Sequence, residues 1–444
     1  MFDIRADCSQ GFVGINYVTS WRGSAAMKSV FRTFSLVSLA AAAALLAACG
    51  ASSSGGGSGA VAPKSVEAAP PASGCGSYEA SLPKDPDGLV DALPPKLKAL
   101  YKGYPTPIKK SVWSGWKPKH DPPYHVGIQW AQVNNDFQRN VTETLKADLE
   151  KDPDVGKVTF QSTGNNIDVV AELQQLESLI RSKPDIIVLQ ELQPKAFVSS
   201  INKAGKAGIP VIVAIDSIPE TKYAVNLQYN TFNAPASVAS MTVRQMGGKG
   251  NVLMAHAIPG IGVDTEAFRG FDAVLKNCPN IKKAEGAVYG NFVNAIGKSE
   301  TLKYLATHPE KIDGVLSTAA ITSGMMSAFE QTGRPVPPIA DTGASKASLA
   351  FWRDNFDSYR GSAGIVPEVN IGSSLAGVVK RMLTGNGVEF SDIVGDIPLV
   401  TDSNLDDWVE DSWTFQTPGD PPGPTGFLTE SDLDQFFRSS KAGE

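Results

Sequence analysis

Few residues in this chain stand at spacings that support catalysis. Four histidines (His120, His125, His256, His308) are scattered without the short intervals of metal ligands. Gly247-Gly248-Lys249-Gly250 has the composition of a phosphate loop. It lacks the Gly-x-x-x-x-Gly-Lys-Ser/Thr spacing, and its Gly-Lys precedes a strand-like apolar run instead of opening a helix. A turn that closes a helix accounts for it. No Gly-x-Ser-x-Gly elbow occurs and no Ser-His-Asp or Cys-His grouping presents itself, so enzymatic hydrolysis is not expected and no cofactor is implied. Cys75 and Cys278 are two thiols whose pairing the sequence leaves open, because bridging depends on geometry. Cys49 is different because of what precedes it.

Residues 27–50 carry a positive start at Lys28 and Arg32, an apolar run over 34–48, and small residues leading into Cys49. That is the layout of a secretory signal, and the run is too short for a comfortable membrane span. The ending resembles a bacterial lipobox, which implies cleavage before Cys49 and acylation of its thiol. The protein is then expected on the outer face of the cytoplasmic membrane, held by lipid at Cys49. Residues 1–26 show no targeting element and are read as an extension upstream of the true start at Met27, with the signal peptide at 27–48.

The elements behind these residues follow from composition and periodicity. With 42% hydrophobic and 19% charged residues the chain has an ordinary globular balance. Its net charge of −6 becomes −8 once residues 1–48 are removed, so no basic footprint for nucleic acid remains. Residues 49–76, rich in Ser, Gly, Ala and Pro, are expected to form a flexible stalk. Residues 77–121 are proline-punctuated, with a short helix expected near 97–101 and two tryptophans, Trp113 and Trp116, expected to pack on the main body. From Tyr124 short apolar runs alternate with amphipathic stretches, the signature of an α/β chain with parallel sheets. Strands are expected at 125–130, 157–161, 186–189, 211–215, 251–255, 314–317 and 337–340, and helices at 137–150, 169–181, 234–246, 267–276 and 298–307. Ile167, Val170, Leu173, Leu176 and Ile180 recur at helical steps and predict one apolar face. Gly208-Ile209-Pro210 reads as a glycine cap followed by a helix breaker. The tail beyond Pro398 is acidic, yet Trp408, Trp413, Phe427, Phe436 and Phe437 predict that it docks in part.

Over roughly 124–388 the residues resemble type I periplasmic binding proteins, specifically the ribose/galactose-binding-like substrate-binding proteins of sugar ABC transporters. The resemblance rests on Asn134-Asn135-Asp136-Phe137 after the first strand, Ala207-Gly208-Ile209-Pro210-Val211-Ile212 before Ile215-Asp216, Gly247-Gly248-Lys249-Gly250-Asn251-Val252, Arg269-Gly270-Phe271, and His308-Pro309 ahead of Asp313-Gly314-Val315-Leu316. It implies two doubly wound parallel-sheet lobes joined by a three-strand hinge, with a ligand cleft between them. The N-terminal lobe would span 122–230 and 367–395, the C-terminal lobe 231–366, and 396–444 would form an acidic extension. Ligands of open α/β sheets bind beyond the carboxyl ends of the strands, and such clefts close by hinge motion.

By the same resemblance, Asn135 and Phe137 match a polar contact and a stacking ring, Asp216 and Asp341 match cleft carboxylates, and Phe292 matches a second stacking ring. Trp130, Gln132, Asn134, Glu191 and Thr318 are further expected contacts, with Trp352 as a substitute aromatic. Aromatic faces suit the apolar faces of a sugar, and planar polar side chains suit its hydroxyls. The sequence departs from the pattern in three places. Ala267 replaces the cleft arginine, Thr318-Ala319-Ala320 replaces an Asn-Asp pair, and Val366 replaces a late polar contact. A ligand other than ribose or galactose is therefore expected, larger or less polar. The implied role is a monomeric solute-binding lipoprotein that delivers its ligand to an ABC permease. Sensing through a membrane signalling partner is the alternative. Sugar-responsive repressors of related fold carry an N-terminal DNA-binding helix-turn-helix, and here a signal and stalk stand in its place.

Overall fold

The alternation that begins at Tyr124 builds two parallel sheets in the computed structural model, which describes residues 74–165, 167–318, 320–422 and 427–437. The signal peptide, Cys49, most of the stalk and the last seven residues lie outside the described residues. The first sheet comprises β1 (Tyr124–Trp130), β2 (Val155–Ser162), β3 (Ile186–Gln190), β4 (Val211–Ala214), β5 (Ala224–Tyr229) and β12 (Asp392–Gly395), in the order β12-β5-β4-β3-β1-β2. The second comprises β6 (Lys249–His256), β7 (Asn280–Lys283), β8 (Val288–Tyr289), β9 (Gly314–Ser317), β10 (Ile339–Asp341), β11 (Ser362–Gly364) and β13 (Leu399–Val400). Its order is β13-β11-β10-β9-β6-β7, with β8 also paired to β6. Among the named strands of the described residues only β13 runs antiparallel, against β11. Central strands such as Ile186–Gln190 are buried along their whole length, as a sheet covered on both faces requires.

The chain passes between the lobes at 230–232, 365–367 and 396–398, between an element of one sheet and an element packed on the other. The strand Leu399–Val400 therefore belongs to the C-terminal lobe although it follows residue 395. The tail then supplies Trp408 and Trp413 to the core of that lobe. It recrosses and buries Phe427 and Phe436 in the core of the N-terminal lobe. These aromatics dock as their composition predicts, and they do so on both lobes in turn.

The N-terminal extension is equally divided. Cys75 is disulfide-bonded to Cys278, 203 residues away in the C-terminal lobe. Beyond Leu82 the extension packs on the N-terminal lobe, where Tyr101 donates to the Asp392 carbonyl and Tyr104 to the Asp392 carboxylate. Its backbone also pairs with the segment before β12: Ser111 donates to the Glu389 carbonyl and Ser391 to that of Lys109. Glu389 in turn donates to the Phe436 carbonyl. Both extensions thus cover a sheet edge that would otherwise present unpaired backbone. Trp113 and Trp116 pack as expected, their indole N–H groups donating to the carbonyls of Tyr223 and Gly208.

Two local readings need correction or refinement. The apolar face predicted from Ile167 fails at its start: Ile167 is 44% and Val170 66% exposed, while Leu176, Leu179 and Ile180 are buried. Helix Val169–Arg181 turns its face inward only from its second turn. Helix Gly262–Leu275 starts five residues before its expected position, because Gly262 and Val263 open it directly after the Pro259-Gly260 turn. Gly247-Gly248 closes helix Asn233–Gln245, with the Gly248 amide donating to the Val243 carbonyl and both glycines at positive φ.

Candidate functional site

The loops after β1, β3, β4 and β5 of one lobe and after β6, β8, β9 and β10 of the other converge on a single cavity. It holds about 120 Å³, room for one small molecule. This is the placement expected for open α/β sheets, beyond the strands' carboxyl ends.

The N-terminal wall brings amides and acids. Gln132 follows β1, and Asn135 caps helix Asp136–Glu150 by accepting from the Gln138 amide, which leaves its side-chain NH₂ for the cavity. Phe137 lies in the first turn of that helix and Gln138 one residue on. Gln190 accepts from the Ala131 amide and donates to the Glu191 carbonyl, which fixes its side chain. Glu191 is only 1% exposed, and neither of its carboxylate oxygens has a hydrogen-bond partner. Among the groups acting on it, the Gln193 backbone alone favours its charged form. Burial, and then the neighbouring charge of Asp216, push the Glu191 carboxyl up to about 9. Asp216 accepts from the Ser217 amide, and burial raises it to about 6.

The C-terminal wall is built of small and apolar groups: Ile261, Gly262, Val263, Ala267, Phe292, Ala320, Gly343 and Ala344. Its polar atoms are already engaged. Thr318 lines the cavity, but its hydroxyl donates to Asp264 and accepts from the Ala257 amide. Asp264 also accepts from the Ala257 amide and lies 2.7 Å from Nδ1 of His256. That imidazole is stacked on Phe268 with ring centroids 3.6 Å apart.

Three lining residues, Ile215, Phe292 and Ala320, hold left-handed backbone with φ of 67°, 57° and 52°. For a β-branched or bulky side chain this conformation is strained, and such strain gathers where loops are shaped for a ligand.

Of the expected contacts, Asn135, Phe137, Asp216, Phe292, Gln132, Glu191 and Thr318 share this cavity. The other four do not line it. Asp341, at the end of β10, turns into its own lobe and accepts from the Gly343 amide and the Ser348 hydroxyl. Trp130 is fully buried behind the wall and donates its indole N–H to Gln138. Asn134 is exposed and bonds back to Gln132. Trp352 sits in the C-terminal core and donates to Asp402.

The structure adds lining residues that the sequence reading did not single out: Tyr229, Thr231, Ile397 and Asp420. Tyr229 ends β5, a strand the sequence reading did not single out, and Thr231 follows it in the crossing between the lobes. Asp420 comes from the tail as it recrosses, where the Gly419 carbonyl accepts from the Lys346 amide. Burial, and then the charge of Glu368, raise Asp420 to about 8. The Gly-Asp-Pro-Pro turn marks a change of direction in the sequence without disclosing where it leads.

Residues 126–386, more than half the chain, match the periplasmic binding protein domain. A xylitol-binding protein of Mycolicibacterium smegmatis is 25% identical over 247 residues, covering 55% of this chain and 69% of that protein. Among solved structures, a solute-binding protein of an ABC transporter from Thermobispora bispora superposes with a TM-score of 0.60 at 19% identity, covering 70% of this chain and 94% of the other. A Mycobacterium smegmatis counterpart with bound glycerol gives 0.57 at 19%, covering 66% and 98%. Two parallel-sheet lobes that meet over one solute-sized cavity, and a domain match that spans both, place this chain in the periplasmic binding protein family.

Proposed function

We propose that this protein captures a small polyol or sugar-like solute outside the cytoplasmic membrane, closes its lobes over it, and delivers it to an ABC permease while tethered by lipid on Cys49. The observation that carries the reading is the cavity lined from both lobes, with hydrogen-bonding groups on one wall and the ring of Phe292 on the other. A ligand drives closure only if it gains contacts in the closed form that the open form lacks, and a two-walled cavity supplies that difference. The xylitol-binding relative and the glycerol-bound neighbour support a short polyhydroxylated guest. The signal layout of residues 27–48 supports export and acylation.

Calorimetry and thermal shift with xylitol, glycerol, myo-inositol and simple aldoses test the binding step. A dissociation constant in the micromolar range or tighter for at least one of them is expected, and silence across the set would remove the solute-binding reading. Cys49→Ala is expected to release the protein from the membrane fraction, and retention there would remove the lipid anchor.

A further inference from the structure

The cavity is lined by an acid whose oxygens have no hydrogen-bond partner of good geometry. Glu191 is 1% exposed, lines the cavity, and has no hydrogen-bond partner at either oxygen. The charged groups acting on it are Asp216, Glu172 and Glu220, all acids, and Asp420 supplies another on the cavity wall. Among the described residues no lysine, arginine or histidine lines the cavity. Of two cations near its rim, Lys346 acts on Asp420 and neither acts on Glu191. Lys195 is exposed on the adjoining outer groove, and the Lys346 ammonium lies over the Trp413 ring at 5.4 Å. A buried carboxyl with no counter-charge is costly to keep, and this one belongs to a residue on the cavity wall.

We propose that the solute carries a protonated amine as well as hydroxyl groups, and that Glu191, backed by Asp216, is the anion that receives it. This rests on the solute-binding reading above and specifies its substrate class. A hydroxyl group would satisfy one hydrogen bond at Glu191, whereas an ammonium satisfies that bond and also neutralises the negative field of the neighbouring acids. The rings of Phe137, Tyr229 and Phe292 line the same cavity and offer π faces that accept a cation as readily as an apolar ring face. An anionic solute meets the negative charge of Asp216. The empty site holds its proton at neutral pH, since burial and Asp216 push Glu191 up to about 9. Binding an ammonium therefore converts the carboxylic acid to a carboxylate, and the released proton passes to the buffer.

The test uses matched pairs that differ only in one group: glucamine against sorbitol, D-glucosamine against D-glucose, and D-galactosamine against D-galactose. They are titrated calorimetrically into the purified protein at pH 7 in phosphate and in Tris. At least one amine is expected to bind roughly 100-fold tighter than its hydroxyl partner, the order that a desolvated charge pair supports over a neutral hydrogen bond. Its apparent enthalpy should differ between the buffers by an amount that reports proton release. Glu191→Gln is expected to bring the ratio of the pair to within about threefold and to abolish the buffer dependence. The buffer comparison on the unaltered protein stands by itself should that variant fold poorly. Hydroxyl compounds binding as tightly as their amines, or amine binding without proton release, would overturn the amine inference and leave the solute-binding reading intact. Silence in both series would overturn both.

Discussion

The two walls of the cleft each carry buried acids and treat them in opposite ways. On the C-terminal side Asp264 accepts from the Ala257 amide and the Thr318 hydroxyl and meets His256, and Asp341 accepts from Gly343 and Ser348. On the N-terminal side Glu191 receives no hydrogen bond, and Asp216 receives one from an amide beside it. Satisfied acids hold a wall in shape, and unsatisfied acids wait for something else. The difference sets an acid-bearing, polar wall on the N-terminal lobe against an apolar wall on the C-terminal lobe.

The largest effect that sharpens this contrast is expected at Asp264. Asp264→Ala removes the acceptor that Thr318 and His256 now use inside a buried cluster, and should cost about 3 kcal/mol of unfolding free energy. The denaturant midpoint measures it, and a loss below about 1 kcal/mol would show that the cluster is not what holds the wall.

Glu191→Gln should change stability in the opposite direction. The folded chain keeps the Glu191 proton up to about pH 9, whereas the unfolded chain gives it up near the ordinary carboxylate value. The native state thus binds more protons between those limits. The stability this group contributes is fully present below about pH 4 and is lost as pH rises towards 9. Asp216 and Asp420, raised for the same reason of burial, slope the same way. The ligand-free protein should therefore melt lower at pH 9 than at pH 5. Glu191→Gln should flatten part of that slope and stabilise the protein by about 2 kcal/mol at pH 9. Equal slopes in the two proteins would mean that Glu191 finds a partner in solution.

Why one of these acids lines the cavity and another turns inward is a matter of turn chemistry. Asp216 and Asp341 read alike, each an acid closing a short apolar strand. Only the donors that follow separate them, Gly343 and Ser348 drawing Asp341 inward. The central strands were legible because burial on both sheet faces writes continuous apolar runs. Strands β5, β11, β12 and helix Glu368–Leu383 were not singled out, whereas helix Val169–Arg181 lies where it was expected. The paths of the extensions were not legible. Phe427 and Phe436 announce that the tail is buried, but pairing with an element some 40 residues earlier leaves no periodic trace, so Asp420 could not be placed in the cleft. Glu191 itself was legible by position after β3, and its lack of partners was not.

The approach of the two walls can be broken at one glycine. A methyl group at Gly262, at the start of helix Gly262–Leu275, would lie 3.1 Å from the nearer carboxylate oxygen of Asp216 across the cleft. Its absence lets the apolar wall close on the acidic one. Gly262→Leu should prop the lobes apart and weaken binding of the best solute at least tenfold, about 1.4 kcal/mol. Stability should change less than binding, since the added Cβ meets the carboxylate tip of one residue and no backbone. Ligand-induced contraction in small-angle scattering should shrink with it, and full contraction with unchanged affinity would show that the jaws meet elsewhere.

The smallest effect separates two adjacent asparagines on the recognising wall. Asn135 accepts from the Gln138 amide and so caps helix Asp136–Glu150, while its neighbour Asn134 is exposed and bonds only to Gln132. Asn135→Ala should cost about 1 kcal/mol of stability through the lost cap and weaken binding besides. Asn134→Ala should do neither. Asn135→Asp is the informative third variant, because aspartate restores the cap but exchanges the NH₂ of a cavity-lining residue for another negative group. Stability should return, a hydroxyl solute should bind less well, and an amine should bind at least as tightly as before. If aspartate weakens both classes alike, the NH₂ of Asn135 matters as a donor to the solute, and added negative charge on this wall is not what a guest seeks.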